Sequence, residues 1–186
     1  MTLGRRHRRR PPTRPLRAVP HRSLSVSVEP WATLSPADRA AVRGLAIAPR
    51  QVEYAGTTAS SIAACEDGDP SRIVGLALRV DAAIVGFVVM KRGDAIPDWA
   101  APDAAVVSGL RVDAGQQGKG IGTAAMRAIA DWVRRNWRKA SSVALTVDEE
   151  NIAAIRAYAH AGWVDHGQRF DGRIGPVRRM SLPLHD

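Results

Sequence analysis

Cysteine is nearly missing from this chain. Cys65 is the only one among 186 residues, so no disulfide framework is available within the chain, and a reducing, cytoplasmic setting is the natural expectation. Long apolar runs are missing too. Hydrophobic residues make up 45% of the composition, yet no stretch approaches the roughly 20 residues of a membrane-spanning helix. The five histidines show no metal-ligand spacing, so no metal site is expected.

Acidic residues are absent from the first 22 positions, "MTLGRRHRRRPPTRPLRAVPHR". Removing the eight arginines found there lowers the formal net charge from +9 to +1 for residues 23–186. The basic character therefore belongs to an arm, residues 1–22, and a single domain is expected over residues 23–186. The arm lacks the apolar centre of a secretory signal, and like charge and proline keep it extended. Two readings stay open for it. One is a tether to nucleic acid or another anionic surface. The other is a solvated tail, including one created by a start codon assigned too far upstream.

What is present is a regular alternation of patterned segments. "LSVSV" (24–28) alternates as a strand does. "SPADRAAVRGLAI" predicts a helix with Ser35 as N-cap and Pro36 in its first position, and residues 57–66 predict another. "RIVGLALRV" and "AAIVGFVVM" predict a hairpin about Asp81. A proline-containing loop, 91–103, leads to a buried strand, "AAVVSGLRV", ending at Val112. The next helix carries Ile121, Ala125, Ala128, Ile129, Trp132 and Val133 at helical spacing. "SVALTV" (142–147) predicts a strand. "NIAAIRAYAHAG" predicts a helix capped by Asn151 and ended by Gly162, with Ile152, Ile155 and Ala159 as its core stripe. Two short strands close the chain. The order β-α-α-β-β-β-α-β-α-β-β implies an α/β (α+β) domain with one mixed sheet and helices on both faces.

The turn "DAGQQGKGIGTAA" (113–125) opens the long helix with three glycines in five residues, Gly118, Gly120 and Gly122. A Walker A loop would need Ser or Thr after Lys119 and a glycine at position 113, where Gly120 and Asp113 stand. A dinucleotide fingerprint fails at Thr123, where a third Gly or Ala belongs. What remains is Q-x-x-G-x-G: Gln117, Gly120 and Gly122. Unpaired N–H groups at a helix start, the helix dipole and the absence of Cβ atoms make an anion cradle suited to a pyrophosphate. Without a ligand it is simply a tight strand-to-helix turn. Further on, Asn151 and Tyr158 lie seven residues apart, nearly two helical turns, so they project from one side about 10 Å apart. Tyr158 reads either as a core-edge aromatic or as a ring whose hydroxyl reaches a cleft.

The two stretches "VSGLRVDAGQQGKGIG" and "VDEENIAAIRAYAHAGW", in this order, resemble the signatures of the GNAT (GCN5-related N-acetyltransferase) superfamily. The likeness spans roughly residues 24–184. It implies the GNAT fold: a twisted, mixed, mostly antiparallel sheet of about six to seven strands, with helices on both faces and a splay between its two central strands. It also implies acetyl-coenzyme A as cosubstrate. Leu110, Arg111 and Val112 would line the pantetheine arm, the backbone of Leu110 and Val112 bonding to it. Gln117, Gly118, Lys119, Gly120, Ile121, Gly122 and Thr123 would surround the pyrophosphate. Asn151 would bond the arm near the thiol, and Tyr158 would protonate the departing thiolate while an amine attacks directly. No enzyme nucleophile is needed, and Cys65 reads as an ordinary small buried residue.

Two departures stand out. Many relatives carry a carboxylate two residues before the leucine of this motif; here Ser108 stands there. A base acting through water would then be Glu53, Asp98 or Asp103. "QQGKGIG", "APRQVEYAG" and "GPVRRMSLPL" resemble the spermine/spermidine (diamine) acetyltransferase subgroup, in which an acidic residue often follows the glycine near the last strand; here Pro176 follows Gly175. Asp94, Asp98 and Asp103 could attract a cationic amine. The leading expectation is N-acetyl transfer to a polyamine-like or other small primary amine. A protein or peptide N-acetyltransferase, and a non-catalytic acyl-coenzyme A or nucleic-acid-binding module using the arginine arm, remain as alternatives. The resemblance also raises a homodimer joined through the terminal strands.

Overall fold

A computed structural model describes residues 24–185. The expected basic arm, 1–22, lies outside the described residues. Strand β1 (Ser27–Pro30) is followed by helices α1 (Pro36–Arg43), α2 (Pro49–Ala55) and α3 (Thr58–Asp67). The hairpin β2 (Ile73–Val80) and β3 (Ala83–Lys91) turns about Asp81, and β4 (Ala104–Val112) leads into α4 (Ile121–Asn136). Strand β5 (Ser142–Asp148), helix α5 (Ile152–His160) and strands β6 (Val164–Asp171) and β7 (Pro176–Pro183) complete the chain. Ser35 caps α1 by accepting from the Asp38 amide at 3.1 Å, Thr57 caps α3, and Asn151 caps α5.

The seven strands form one sheet in the order β1-β2-β3-β4-β5-β7-β6. Every neighbouring pair is antiparallel except β4 and β5. That central pair is joined only through Ala104–Val106 against Ser142–Ala144. Beyond Val106 the two strands share no ladder, and the sheet opens into a splay. This matches the expected fold.

Alternation along the strands sends side chains to two cores. Leu76, Leu78, Val88 and Met90 pack toward α4 and α5 with Met126, Ile129 and Val133. Ala77, Phe87 and Val89 pack on the other face with Trp31, Val42 and Ile62 of the segment around α1 and α3. Each large side chain buried this way contributes about 1.5–3 kcal/mol. On α4 the expected stripe is present, although Ala128 is only half-buried and Met126 and Ala130 complete the buried face.

Two expectations need correction. The first is α2, a helix between Pro49 and Ala55 that makes three helices, not two, before the hairpin. The second is the stripe of α5. Ile155 packs against the core as expected, but Ile152 is 47% exposed and Ala159 is also exposed; Ala154, Ala157 and Tyr158 face the core in their place.

Candidate active site

Strand β4 carries one extra residue against β3. Phe87 faces Arg111 while Val89 faces Ser108, so Gly109 and Leu110 form a bulge. Gly109 sits at φ +63°, and a Cβ there would come 3.0 Å from the Ala55 carbonyl oxygen, so glycine is required. Leu110 in the bulge and Val112 beyond it line the cavity inside the splay, and Arg111 points the other way.

Arg111 is fully buried, with 0% exposure. Its Nη1 donates to Ser61 Oγ at 2.8 Å, and its Nη2 donates to the carbonyls of Ala55 and, at 3.2 Å, Gly56. Burial pushes the guanidinium down to about 10, which leaves it charged at neutral pH. The side chain expected beside the coenzyme instead ties the end of α2 and the start of α3 to β4. Sequence alternation carries this signal, since Arg111 lies between two cavity-facing residues.

The first cavity, about 450 Å³, runs between α2, the end of β4, the start of α4 and the inner face of α5. Gly118, Gly120, Ile121, Gly122 and Thr123 form one end of it. Gly120 holds φ +79° as the N-cap of α4 and provides no side-chain cap, so the first-turn N–H groups are left for another acceptor. Their dipole favours an anion. Gln117 lines the same end, whereas the Lys119 ammonium turns back to Gly115 O at 2.9 Å and Gln116 Oε1 at 3.0 Å and does not line the cavity. Thr123 Oγ1 bonds the Ala157 carbonyl at 3.2 Å, which fixes α4 against α5.

Asn151 and Tyr158 both line this cavity, as their spacing predicts. The Asn151 Oδ1 is engaged in capping α5, accepting from Ala154 N at 3.2 Å, so its amide nitrogen is the group available to a ligand. Tyr158 is 9% exposed and packs 6.2 Å from the Trp163 ring. Burial pushes its hydroxyl up to about 12, so it keeps its proton throughout the neutral range. Tyr158 is thus packed in the core and part of the cavity's lining.

A second cavity, about 230 Å³, opens on the other side of α2. Tyr54 lines both. The second is walled by carboxylates (Glu53, Asp148, Asp171) and by the rings of Trp99 and Phe170, whose centroids are 6.5 Å apart; Arg173 stands at its wall. Asp148 ends β5 at the mouth of the splay. Burial raises its carboxyl above the usual range, and the charge of Arg173 works against that shift. Of the candidate bases, Glu53 is here. Asp98 and Asp103 are exposed and do not line either cavity, and Asp94 pairs with Arg72. Asp148 is the residue that sequence reasoning missed, although its place at the end of a strand facing the signature loop was a signal. Cys65 is half-buried on α3, burial pushes its thiol up to about 11, and it lines neither cavity.

Comparison with known proteins agrees with this geometry. No curated protein sequence matches the chain. Among solved structures, aminoglycoside acetyltransferase AAC(6')-Ib in complex with coenzyme A superposes with a TM-score of 0.67 at 20% identity, covering 86% of this chain and 95% of that one. Spermidine N-acetyltransferase from Vibrio cholerae, in complex with coenzyme A and spermine, gives 0.66 at 16% identity over 86% and 96% of the two chains. The ribosomal-protein-S18-alanine N-acetyltransferase from Escherichia coli gives 0.58 at 16% identity over 87% and 95%. At these identities the likeness is one of fold. The sequence itself matches the Acetyltransferase (GNAT) family over residues 46–163, from α2 through both signatures to the end of α5. The chain belongs to the GNAT acetyltransferase family.

Proposed function

We propose that the protein transfers an acetyl group from acetyl-coenzyme A to the primary amine of a small, positively charged molecule of polyamine or aminoglycoside type. The observation that carries this reading is the pair of cavities meeting at Tyr54 across the splay. One presents backbone donors at a helix start, and the other presents carboxylates and aromatic rings. The uncapped turn at Gly120, Ile121, Gly122 and Thr123, with Gln117 and Gly118 beside it, suits a pyrophosphate without a metal. Arg50 at the cavity wall and Lys119 beside the loop add positive charge. The edge of β4 beyond the bulge, which no strand pairs, suits an extended, amide-bearing arm, held by the backbone of Leu110 and Val112, with Asn151 donating to the same arm. The coenzyme supplies its acetyl group as a reactive thioester.

The chain's own groups would then move the protons. Glu53 and Asp171 attract the cation, and Trp99 and Phe170 offer ring faces to it. Asp148 takes a proton from the ammonium so that nitrogen can attack; its raised affinity for protons makes it a better base than an ordinary aspartate. A C–N bond forms as the C–S bond breaks. Tyr158, kept protonated by its burial, gives the sulfur its proton. The nitrogen loses two protons in all; one balances the proton given to sulfur, and the other leaves to solvent. Residues 23–186 form the catalytic domain in this reading, working in the reducing cytoplasm, and residues 1–22 are an appended arm. No described helix is long and apolar enough to cross a membrane.

Calorimetry with acetyl-coenzyme A, followed by thiol release against polyamines, aminoglycosides, amino acids and peptides, tests the proposal. Binding with turnover of the first two classes is expected. Absence of binding overturns the coenzyme assignment, and turnover of peptides alone overturns the acceptor class. Deleting residues 1–22 is expected to leave turnover unchanged; a salt-sensitive nucleic-acid affinity lost on that deletion would favour the tether reading.

A further inference from the structure

Alternation of the ladder decides where the backbone of Val112 points. The Asp113 amide donates to the Val85 carbonyl at 2.9 Å, so these two form a bonded pair between the ends of β3 and β4. In an antiparallel ladder the next pair, Val112 with Gly86, is then a non-bonded one, and the Val112 N–H and C=O face away from β3, into the splay. A strand edge left open this way seeks a partner.

The partner is a side chain. Gln51 projects from α2 into the first cavity. With its amide oriented so that nitrogen meets acceptor and oxygen meets donor, Nε2 donates to the Val112 carbonyl at 3.0 Å and Oε1 accepts from the Val112 N–H at 3.0 Å. One primary amide thus fills both positions of a backbone pair. In this orientation the same Nε2 also lies 2.8 Å from the Gln117 side-chain amide, which, turned likewise, presents its oxygen to it.

We propose that Gln51 is a displaceable stand-in for an amide of the coenzyme's arm: it holds both backbone groups of Val112, and the arm must take them from it. This rests on the coenzyme reading above. Coenzyme binding is then an exchange at Val112, and α2 is released at one end. At its other end α2 stays held by Arg111 on Ala55 and Gly56. The helix carries Tyr54 and Glu53 to the acceptor cavity, so the exchange couples the two cavities.

The test is calorimetry of the full chain with coenzyme A, comparing the wild type with Gln51→Met, which keeps length and helix preference but cannot make the pair. Because the competitor is gone, Kd is expected to fall about tenfold, as for two neutral hydrogen bonds that no longer have to be broken. Adenosine 3′,5′-bisphosphate, which lacks the arm, is expected to bind both proteins equally. Hydrogen exchange at the Val112 amide is expected to speed up in the variant. Unchanged or weaker coenzyme binding by the variant, equal tightening of the bisphosphate, or unchanged exchange at Val112 overturns the proposal and leaves the coenzyme reading standing. No coenzyme binding by the wild type overturns the coenzyme reading instead.

Discussion

On one side of the splay about half of the cavity's lining falls in the single run from Leu110 to Thr123, where a glycine turn leaves backbone N–H groups at a helix start. On the other side, the second cavity, proposed above for the acceptor, is built from side chains brought together from α2, the loop before β4, the end of β5 and the turn between β6 and β7. A backbone site depends on conformation, so glycines and a helix start define it. A side-chain site depends on which charges the fold happens to bring together. The first can be conserved in shape while the second changes its ligand, which is how one fold serves many acceptors.

The sharpest way to break that contrast is at Gly120. Its φ of +79° is strained for any side chain, and a β-branched residue there is worst. Gly120→Val is expected to distort the turn, set a side chain among the first-turn N–H groups, and remove coenzyme binding, by more than about 100-fold in Kd if two or more charge-assisted bonds are lost. Calorimetry measures it, and circular dichroism confirms that the helices persist. Retained affinity would mean that the turn holds no phosphate.

Tyr158 tests the contrast from the chemical side. Tyr158→Phe keeps the packing against Trp163 and removes only the hydroxyl. Turnover is expected to fall by about 10²–10⁴, the usual range for a positioned acid, with coenzyme affinity unchanged. Steady-state kinetics beside calorimetry separates the two. Equal kcat would reduce Tyr158 to a core residue.

How much of each cavity could be read in advance follows from the same difference. Gln117, Gly118, Gly120 and Gly122 stand together in sequence, and Asn151 and Tyr158 share one helix side, so local rules reach them. Helix α2 escaped because seven residues are too few to show a period, although Pro49 at its start and Gly56 at its end marked its limits. On α5 the alanines give little hydrophobic contrast, and Ile152 drew the stripe to the wrong side. Asp148 and Asp171 are separated by a helix and a strand, and only the β5-β7-β6 order brings them to one cavity with Glu53. Asp94, Asp98 and Asp103, close together in the loop before β4, form the cluster the sequence suggests, and none of them lines that cavity.

Asp148 gives the smallest and most informative effect. Asp148→Asn keeps the shape at the end of β5 and removes the proposed base. At neutral pH, kcat/KM for the amine is expected to fall about tenfold, the low side of base catalysis, because water in the open cavity takes over part of the task. The pH profile carries the distinction. The wild-type carboxylate must be ionised to act, and burial raises its pKa, so its acidic limb should lie above the ordinary value of about 3.9 for aspartate. As pH rises toward the amine's own pKa, about 10.4 for a lysine-like group, more amine arrives already deprotonated and the difference between variant and wild type should shrink. A defect that stayed constant across pH would make Asp148 an electrostatic contact for the cation, alongside Glu53 and Asp171. The contrast would then sharpen: the acceptor cavity would only attract, and every proton transfer would fall to Tyr158 and solvent.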